Sequence, residues 1–488
     1  MASRPDWCVS RQRLWGVPVV ALACGACGNS HTTPELVTHA TKLFEKEGAD
    51  AWYVREVADF IPEGFFCPTC GEKKNFEKER DILDVWFDSG VSYAAVLESQ
   101  EGIKDQADLY LEGSDQHRGW FHTSLLTSIG TRGRAPYKRV LTHGFVVDGE
   151  GRKYSKSAKN YVPPENLINK HGAEILRLWV AAEDYRDDIR FSDEIFTRCI
   201  EAYRKLRNTA RYMLGNVSDF SPDLDLVPVS SMQEIDRWAI SELGGLTKRV
   251  KAAYESFEFH VIAHALGRFC TVEMSAFYLD ILKDRLYTEK KDGPLRRSAQ
   301  SALWLILDAM TRIMAPIFSF TADEIWKAMP KKKGSPDGIF LTDMSGDFSI
   351  DEALLARWSK LVPIRSCVTG ALEMARAEKF LGNSLAAKVV IECSPETKSY
   401  LESFGDALPD LFIVSEIFFG TPSGKYILSG EEVAGLRVGV ETAPGTKCER
   451  CWKSVASVGQ NAAHPTLCNR CTGVVDSLSL EGRGLGRG

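Results

Sequence analysis

The chain has 488 residues, a formal net charge of −6 and 44% hydrophobic residues. At ~150 residues per domain that is about three domains, and the composition excludes disordered, collagen-like and fibrous proteins. The slight acidity excludes a uniformly basic nucleic-acid binder but leaves room for local basic faces.

Up to about residue 159, short apolar runs end in polar or Gly-rich loops, as in DLYLEGSDQ and RVLTHGFVVDGEG. Runs of that length predict the strands of an α/β sheet whose loops carry function. One stretch imitates an export signal: Arg11 and Arg13 precede LWGVPVVALAC, which ends at Cys24. Asp6 and Pro18 interrupt that pattern, and Cys24 has a better use in a metal site.

From about residue 164 to 329 the pattern turns helical. Helices are predicted over 193–217, 259–286 and 295–328, and Ser231 with Glu234 reads as a capping box opening a further helix. Behind it Met232, Ile235, Ala239, Leu243, Leu246 and Val250 recur at spacings of three and four, one apolar stripe facing a core. The whole reads as an antiparallel bundle. Residues 301–320 are the most apolar helical text, but Asp308, Arg312 and Pro316 interrupt them, short of the ~20 clean residues of a membrane span. The segment KKKGSPDG (331–338) is a loop by composition, 351–378 is helical, and LAAKVVIEC and LRVGVET read as strands before a Cys-bearing tail.

Eight of thirteen cysteines form four C-x-x-C pairs. Cys448/Cys451 and Cys468/Cys471 have zinc-ribbon spacing, in which each tight turn aims two sulfurs at one point. Cys24/Cys27 and Cys67/Cys70, each pair followed by Gly, have the same knuckle grammar across a wider gap that is helical over 35–60. Four thiolates per site leave no open position, so both sites read as structural, with reduced core cysteines or a redox pair as the alternatives. Paired thiols beside five scattered single cysteines indicate a reducing compartment, hence the cytoplasm.

Two further stretches carry chemistry. In Gly149–Ser157 a Gly-containing loop presents Lys153, Ser155, Lys156 and Ser157, groups that can stabilise charge on a departing pyrophosphate. Upstream, an apolar strand ends in Glu112, Gly113, Asp115 and Gln116 ahead of Trp120. Those carboxylates can accept hydrogen bonds from an ammonium or a ribose; the alternative is that Asp115 or Ser114 caps the next helix.

Taken together, RPDWCVSRQRLWGVPV, DVWFDSG, DLYLEGSDQHRGWF, VLTHGFVVDGEGRKYSKS and the terminal KCERCWKSVASVG…LCNRC resemble the bacterial isoleucyl-tRNA synthetases, in that family's order and nearly end to end. The resemblance implies a fold of class α/β plus all-α. Its parts are a partial Rossmann-type class I catalytic domain (1–160, with a zinc-knuckle insertion at about 21–75), a connecting stem-contact region (161–195) and an antiparallel helical anticodon-binding bundle (196–350). A small α+β junction domain (351–440) and a zinc-ribbon module (441–488) follow. The implied reaction joins L-isoleucine to tRNA(Ile) at the expense of ATP, with Mg2+, through isoleucyl-adenylate.

By the same resemblance Lys156, with Lys153, Ser155 and Ser157, contacts the ATP phosphates and stabilises the transition state. Glu112, Gly113, Asp115, Gln116 and Trp120 bind the isoleucyl-adenylate, and Cys448, Cys451, Cys468 and Cys471 hold zinc. A concentrated positive stripe fits a tRNA backbone: Arg198, Arg204, Lys205, Arg207 and Arg211 stand against Glu201 alone, with a solvated helix face as the alternative. Trp452, beside Cys451, is a candidate stacking platform or a packing residue on the knuckle.

Two departures from the family stand out. Tyr154 occupies the signature loop where Met is usual, and Ala158-Lys159-Asn160 follows it. No His among the nine falls in an H-x-G-H pattern, the class I ATP-holding motif. The expectation is therefore a truncated or split form, inactive alone, with a separate N-terminal synthetase half as a partner of the split form. A non-catalytic, zinc-containing tRNA-binding module is the alternative.

Overall fold

The computed structural model describes residues 6–103, 106–154 and 162–484, with side chains to 477. It divides into two compact units, one comprising residues up to 146 with 185–189, the other 147–184 with 190 onward.

In the first unit a three-stranded sheet is built from β1 (Leu22–Cys24), β2 (Ser30–His31) and β3 (Phe76–Lys78), β1 pairing antiparallel with both neighbours. Helix α1 (Pro34–Glu47) starts at Thr33, whose Oγ1 accepts from Leu36 N–H, and buries Leu36 and Ala40. Between them lies a core of Leu22, Leu36, Trp52, Phe60 and Phe76, in which the Trp52 and Phe60 rings meet edge-on at 4.7 Å. The predicted helical text at 35–60 breaks after Glu47, where Gly48 takes φ 80° and short turns follow.

Helix α2 (Val85–Gly90) packs on α3 (Trp120–Arg132), and α3 joins β4 (Tyr110–Gly113) to β5 (Val140–His143). The two strands run parallel, Glu112 opposite Thr142 and Gly113 opposite His143. This is a β–α–β crossover, whose strands' carboxyl ends are where open α/β sheets bind ligands.

The second unit is mainly helical. Its helices include α4 (Pro164–His171), α5 (Ala173–Ala182), α6 (Asp193–Asn216), α7 (Glu234–Glu255) and α8 (Phe259–Arg268), then α9 (Leu279–Thr288), α10 (Pro294–Met314) and α11 (Ser319–Ala328). The predicted stripe is inside: Met232, Ile235, Ala239, Leu243, Leu246 and Val250 are all buried.

Three local expectations give way to tertiary structure. The capping box does not form: α7 starts at Glu234, Ser298 Oγ on α10 accepts from Gln233 N–H at 2.9 Å, and Glu234 turns to Arg357 and Trp358. The predicted 259–286 helix contains a π-helical stretch, Phe269–Tyr278, against which Thr209 Oγ1 on α6 donates to the Cys270 carbonyl. The predicted 295–328 helix breaks between Met314 and Ser319 at Pro316, which has no N–H to give; Arg177 on α5 caps the freed Pro316 and Ile317 carbonyls.

Beyond the bundle, α12 (Glu352–Ser359) and α13 (Leu361–Ala377) lead to a four-stranded sheet ordered β7 (Glu416–Phe419), β6 (Ala387–Glu392), β9 (Arg437–Thr442), β8 (Ile427–Ser429). Strands β6 and β7 are parallel; the other pairs are antiparallel, with Val389 opposite Val440. Helix α13 lies on this sheet at Gly370, where a Cβ would come within 2.7 Å of Leu428 Cδ2. A knuckle of four cysteines and α14 (Asn469–Gly484) complete the unit. Among the described residues no helix is long and apolar enough to cross a membrane.

Candidate functional site

The two cysteine tetrads assemble as their spacing predicts. In each, four Sγ atoms lie within 4.8 Å of one another. A tetrahedral metal with bonds of ~2.3 Å to sulfur requires S···S separations of ~3.8 Å. The observed separations are 3.7 Å for Cys24–Cys70, 3.6 Å for Cys27–Cys67 and 3.8 Å for Cys451–Cys468. None of the eight is in a disulfide.

Backbone geometry explains the sulfur placement. The residue after the second cysteine of a pair returns its N–H to the carbonyl of the first: Gly28 to Cys24 at 2.8 Å, Gly71 to Cys67 at 2.9 Å, Trp452 to Cys448 at 2.9 Å. The turn points nearby N–H groups at the leading sulfur. Burial raises the Cys448 thiol, yet the N–H groups of Cys451, Cys468 and Arg450 outweigh it and bring it down to about 6. Cys67 follows the same logic, burial opposed by the Cys70 and Thr69 N–H groups, and also comes down to about 6. The neighbouring thiols go the other way: Cys70, Cys451 and Cys471 are raised, by burial and by the sulfurs beside them, so each tetrad holds one sulfur ready to ionise among others that resist it. A closed S4 set suits zinc in a structural role, and a bound cation would favour ionisation of the remaining thiols. The tail tetrad is wholly buried, whereas Cys70 of the other is exposed.

At the carboxyl end of β4 a Cβ on Gly113 would sit 2.7 Å from Asp115 Oδ1, so a side chain there would push the exposed Asp115 carboxylate out of its present place. Glu112 is exposed, its Oε2 accepting from Gly113 N–H at 3.3 Å, and Asp115 accepts from the Gln116 amide at 3.2 Å. Neither Ser114 nor Asp115 caps α3; Gln116 Oε1 does, accepting from Trp120 N–H at 3.0 Å. The Trp120 indole stacks on Tyr110 at 4.1 Å and donates to Ser89 O and Ser92 Oγ, so its orientation is fixed by α2 and β4. Glu112, Gly113, Asp115 and Gln116 thus share one strand end, with His143 at the end of β5 beside Gly113, whereas the Trp120 ring lies against Tyr110 at the start of β4.

The signature stretch begins on a tight turn in the second unit. Asp148 Oδ1 accepts from the N–H groups of Glu150 and Arg152, Gly151 takes φ 82°, and Lys153 pairs with Val147. Tyr154, the unusual residue, packs edge-on against Phe191. Ser155, Lys156 and Ser157 lie outside the described residues.

The basic residues of α6 are exposed, but two are partly neutralised: Arg198 pairs with Glu194, and Arg207 with Glu324 at 2.8 Å. Trp452 is 56% exposed, with Lys447 Nζ 5.0 Å from its ring centroid. It borders a groove of about 580 Å³ shared with Asp284, Tyr287, Arg376, Asn383 and Arg450. Asn383 Oδ1 is buried there with no hydrogen-bond partner among the described residues. Nothing local in the sequence marks Tyr287 or Asn383, since only the packing of α9 and the sheet against the knuckle brings them to Trp452.

Comparison with known proteins agrees with this layout. Residues 1–192 match the family of class I tRNA synthetases for I, L, M and V, 236–391 the anticodon-binding domain of tRNA ligases, and 445–472 the zinc finger found in FPG and IleRS. The chain is 53% identical over 473 residues to an isoleucine–tRNA ligase of Geobacter sulfurreducens and 52% identical over 474 to that of Syntrophotalea carbinolica. Each match covers 97% of this chain and 51% of the relative, so the chain spans about half the length of the curated relatives it matches. A LeuRS–tRNA–LeuAMS complex of Agrobacterium radiobacter K84 shares the fold, with TM-score 0.50 and 17% identity over 72% of this chain and 43% of that one. By its three modules in order and its identity to these relatives, the chain belongs to the isoleucine–tRNA ligase family of class I synthetases.

Proposed function

We propose that this chain carries the tRNA-reading part and the second half of the catalytic site of an isoleucine–tRNA ligase, a cytoplasmic enzyme that makes isoleucyl-tRNA(Ile) from ATP, L-isoleucine and tRNA(Ile). The observation that supports it best is collinearity: catalytic, anticodon-binding and zinc-finger matches follow in order along a chain 53% identical to such a ligase. Thirteen unpaired cysteines, eight of them in two tetrads that fit zinc, agree with a reducing cytoplasm.

In this reading the exposed Glu112 carboxylate accepts from the isoleucine ammonium or an adenylate hydroxyl. Gly113 lets the adenylate backbone approach, Asp115 and Gln116 stand beside it, and the immobilised Trp120 borders the pocket. Lys156 and Lys153 neutralise charge on the Mg2+-bound ATP phosphates as pyrophosphate leaves, with Ser155 and Ser157 donating hydrogen bonds. The tRNA phosphates lie along Arg198, Arg204, Lys205, Arg207 and Arg211, and an unstacked base lies on Trp452. Zinc in both tetrads fixes the knuckles and supplies no open coordination position.

The motif that holds ATP in class I enzymes is not in this sequence. Isoleucine-dependent ATP–pyrophosphate exchange is therefore expected to be absent from the chain alone. It is expected to appear when the upstream half of a relative, bearing H-x-G-H, is added, and to vanish again in Lys156→Ala. Exchange by the isolated chain above the Lys156→Ala level refutes the split-site reading. The second reading, a tRNA-binding module without catalysis, is favoured by the groove beside Trp452 and predicts tRNA binding that weakens steeply with salt.

A further inference from the structure

Helix α9 carries Asp280, Asp284 and Thr288 at four-residue intervals, which places them along one face. Each rung receives a cation from a different part of the chain. Arg365 on α13 reaches Asp280 at 3.2 Å. Arg470 forks onto the Asp284 carboxylate, Nη2 donating to Oδ1 at 2.7 Å and also to Thr288 Oγ1 at 3.2 Å. Arg450 donates to the Thr288 carbonyl, one of the unsatisfied acceptors at the helix C-terminus, where positive charge is favoured. A fourth contact sits beside these: Lys453 pairs with Asp410.

Three of these four cations come from the cysteine turns of the tail. Arg450 lies between ligands Cys448 and Cys451, Arg470 between Cys468 and Cys471, and Lys453 two residues past Cys451. Their backbones belong to the metal-binding turns, so the direction of each side chain is set by closure of the tetrad. Arg450 also reaches Cys471 Sγ at 3.8 Å, linking the two turns directly. A closed tetrad presents its cations in register with α9 and Asp410; an open one releases both turns and the register with them.

We propose that Asp284 and Asp410 are positioning residues that couple metal occupancy of the tail tetrad to docking of the knuckle on α9, and thereby hold Trp452 over the groove. The last clause rests on the tRNA-binding reading above; the coupling itself does not. Linkage makes the effect reciprocal: if metal favours docking, docking favours metal retention by the same factor.

The full zinc-loaded chain is tested with a chelator, zinc release being followed by absorbance. The Cys24/Cys27/Cys67/Cys70 site, in the other unit, is the internal control. Asp284→Asn removes the charge but touches no cysteine, and release from the tail site is expected to quicken by about tenfold, the low end of what losing an outer-shell partner costs a metal site. The control site is expected to keep its rate, and Asp284→Glu, which restores a carboxylate, to return the tail site toward native behaviour. Asp410→Asn is the second probe should Asp284→Asn not fold, and is expected to act in the same direction. Unchanged release in the Asn variants overturns the coupling, as does equal acceleration by Asp284→Glu, which signifies lost packing. A parallel titration with tRNA separates the two readings: if the native chain binds no tRNA the functional reading fails, while the release rates still decide the coupling.

Discussion

Trp452 occupies the same position in its knuckle as Gly71 does in the other, with φ 65° against 76° and the same return hydrogen bond to the first cysteine. Glycine adopts that left-handed backbone freely, whereas a bulky residue there is an outlier that costs of order 1 kcal/mol or more. The ring is more than half exposed, so packing on the knuckle does not account for it. An exposed aromatic face beside a groove agrees with the base-stacking role proposed above.

Trp452→Gly is therefore expected to split two properties. Metal retention by the tail tetrad holds or improves, because the turn loses its strain. Affinity for tRNA(Ile) falls by about 5- to 150-fold, the loss of one base–aromatic stack at ~1–3 kcal/mol. Filter binding at fixed salt and elemental analysis on the same samples check both; parallel loss of metal and tRNA would make the residue structural.

Zinc content gives the next test. Two ions per chain are expected by elemental analysis, falling to one when Cys468 and Cys471 both become Ser. An unchanged count rejects the tail site. In a domain with so small a core around the cysteines, the thermal transition of the tail is expected to be lost along with the ion.

The tetrads were readable from sequence because each C-x-x-C turn is local: four residues contain all the geometry that aims two sulfurs. The α7 stripe was readable for the same reason, since helical period alone brings Ile235, Ala239 and Leu243 to one face. The capping box misled because the residue that takes the Gln233 N–H, Ser298, lies 65 residues further on. Gln116 capping α3 in place of Asp115 depends on the rotation of the short turn at Ser114–Arg118. The α9 ladder was invisible because Arg470 is 186 residues from Asp284 and nothing in either neighbourhood names the other.

Acid sensitivity follows from Asp219, which ties the end of α6 to α10. Burial raises its carboxyl, but hydrogen bonds from Arg296 and Gln300 and the charges of Arg296 and Arg297 outweigh it and hold it below the ordinary carboxylate range. A depressed folded-state value contributes stability that is complete above the unfolded value of ~3.9 and is lost as pH falls through the folded one. Asp219→Asn is expected to destabilise the unit by about 1–2 kcal/mol at pH 7. The gap between native and variant in urea midpoints should stay constant down to about pH 5 and close only below about 4. A gap that closes near neutrality assigns the effect to another group.

Asp236 presents the opposite case, a carboxylate with no exposure at all. It accepts from Arg285 at 2.6 and 3.1 Å, from Tyr278 OH at 2.8 Å and from Ser298 Oγ at 2.5 Å, so its charge is matched by the guanidinium and its lone pairs are filled. The same contacts tie α7, the π-helical stretch, α9 and α10 together, and the π-helix keeps Tyr278 at the level of Asp236. Asp236→Ala strands Arg285 inside the bundle, where an unpaired buried charge costs about 3–5 kcal/mol. Asp236→Asn keeps the volume and an acceptor but loses the charge match, and is expected to cost less. Replacing Asp236 and Arg285 together by Leu and Met is expected to recover much of the stability, because filling a buried ion-pair site with apolar side chains is often neutral or better. Equilibrium urea unfolding of the three variants decides the matter: a double variant as unstable as Asp236→Ala would show that Tyr278 and Ser298, left without their acceptor, account for most of the loss.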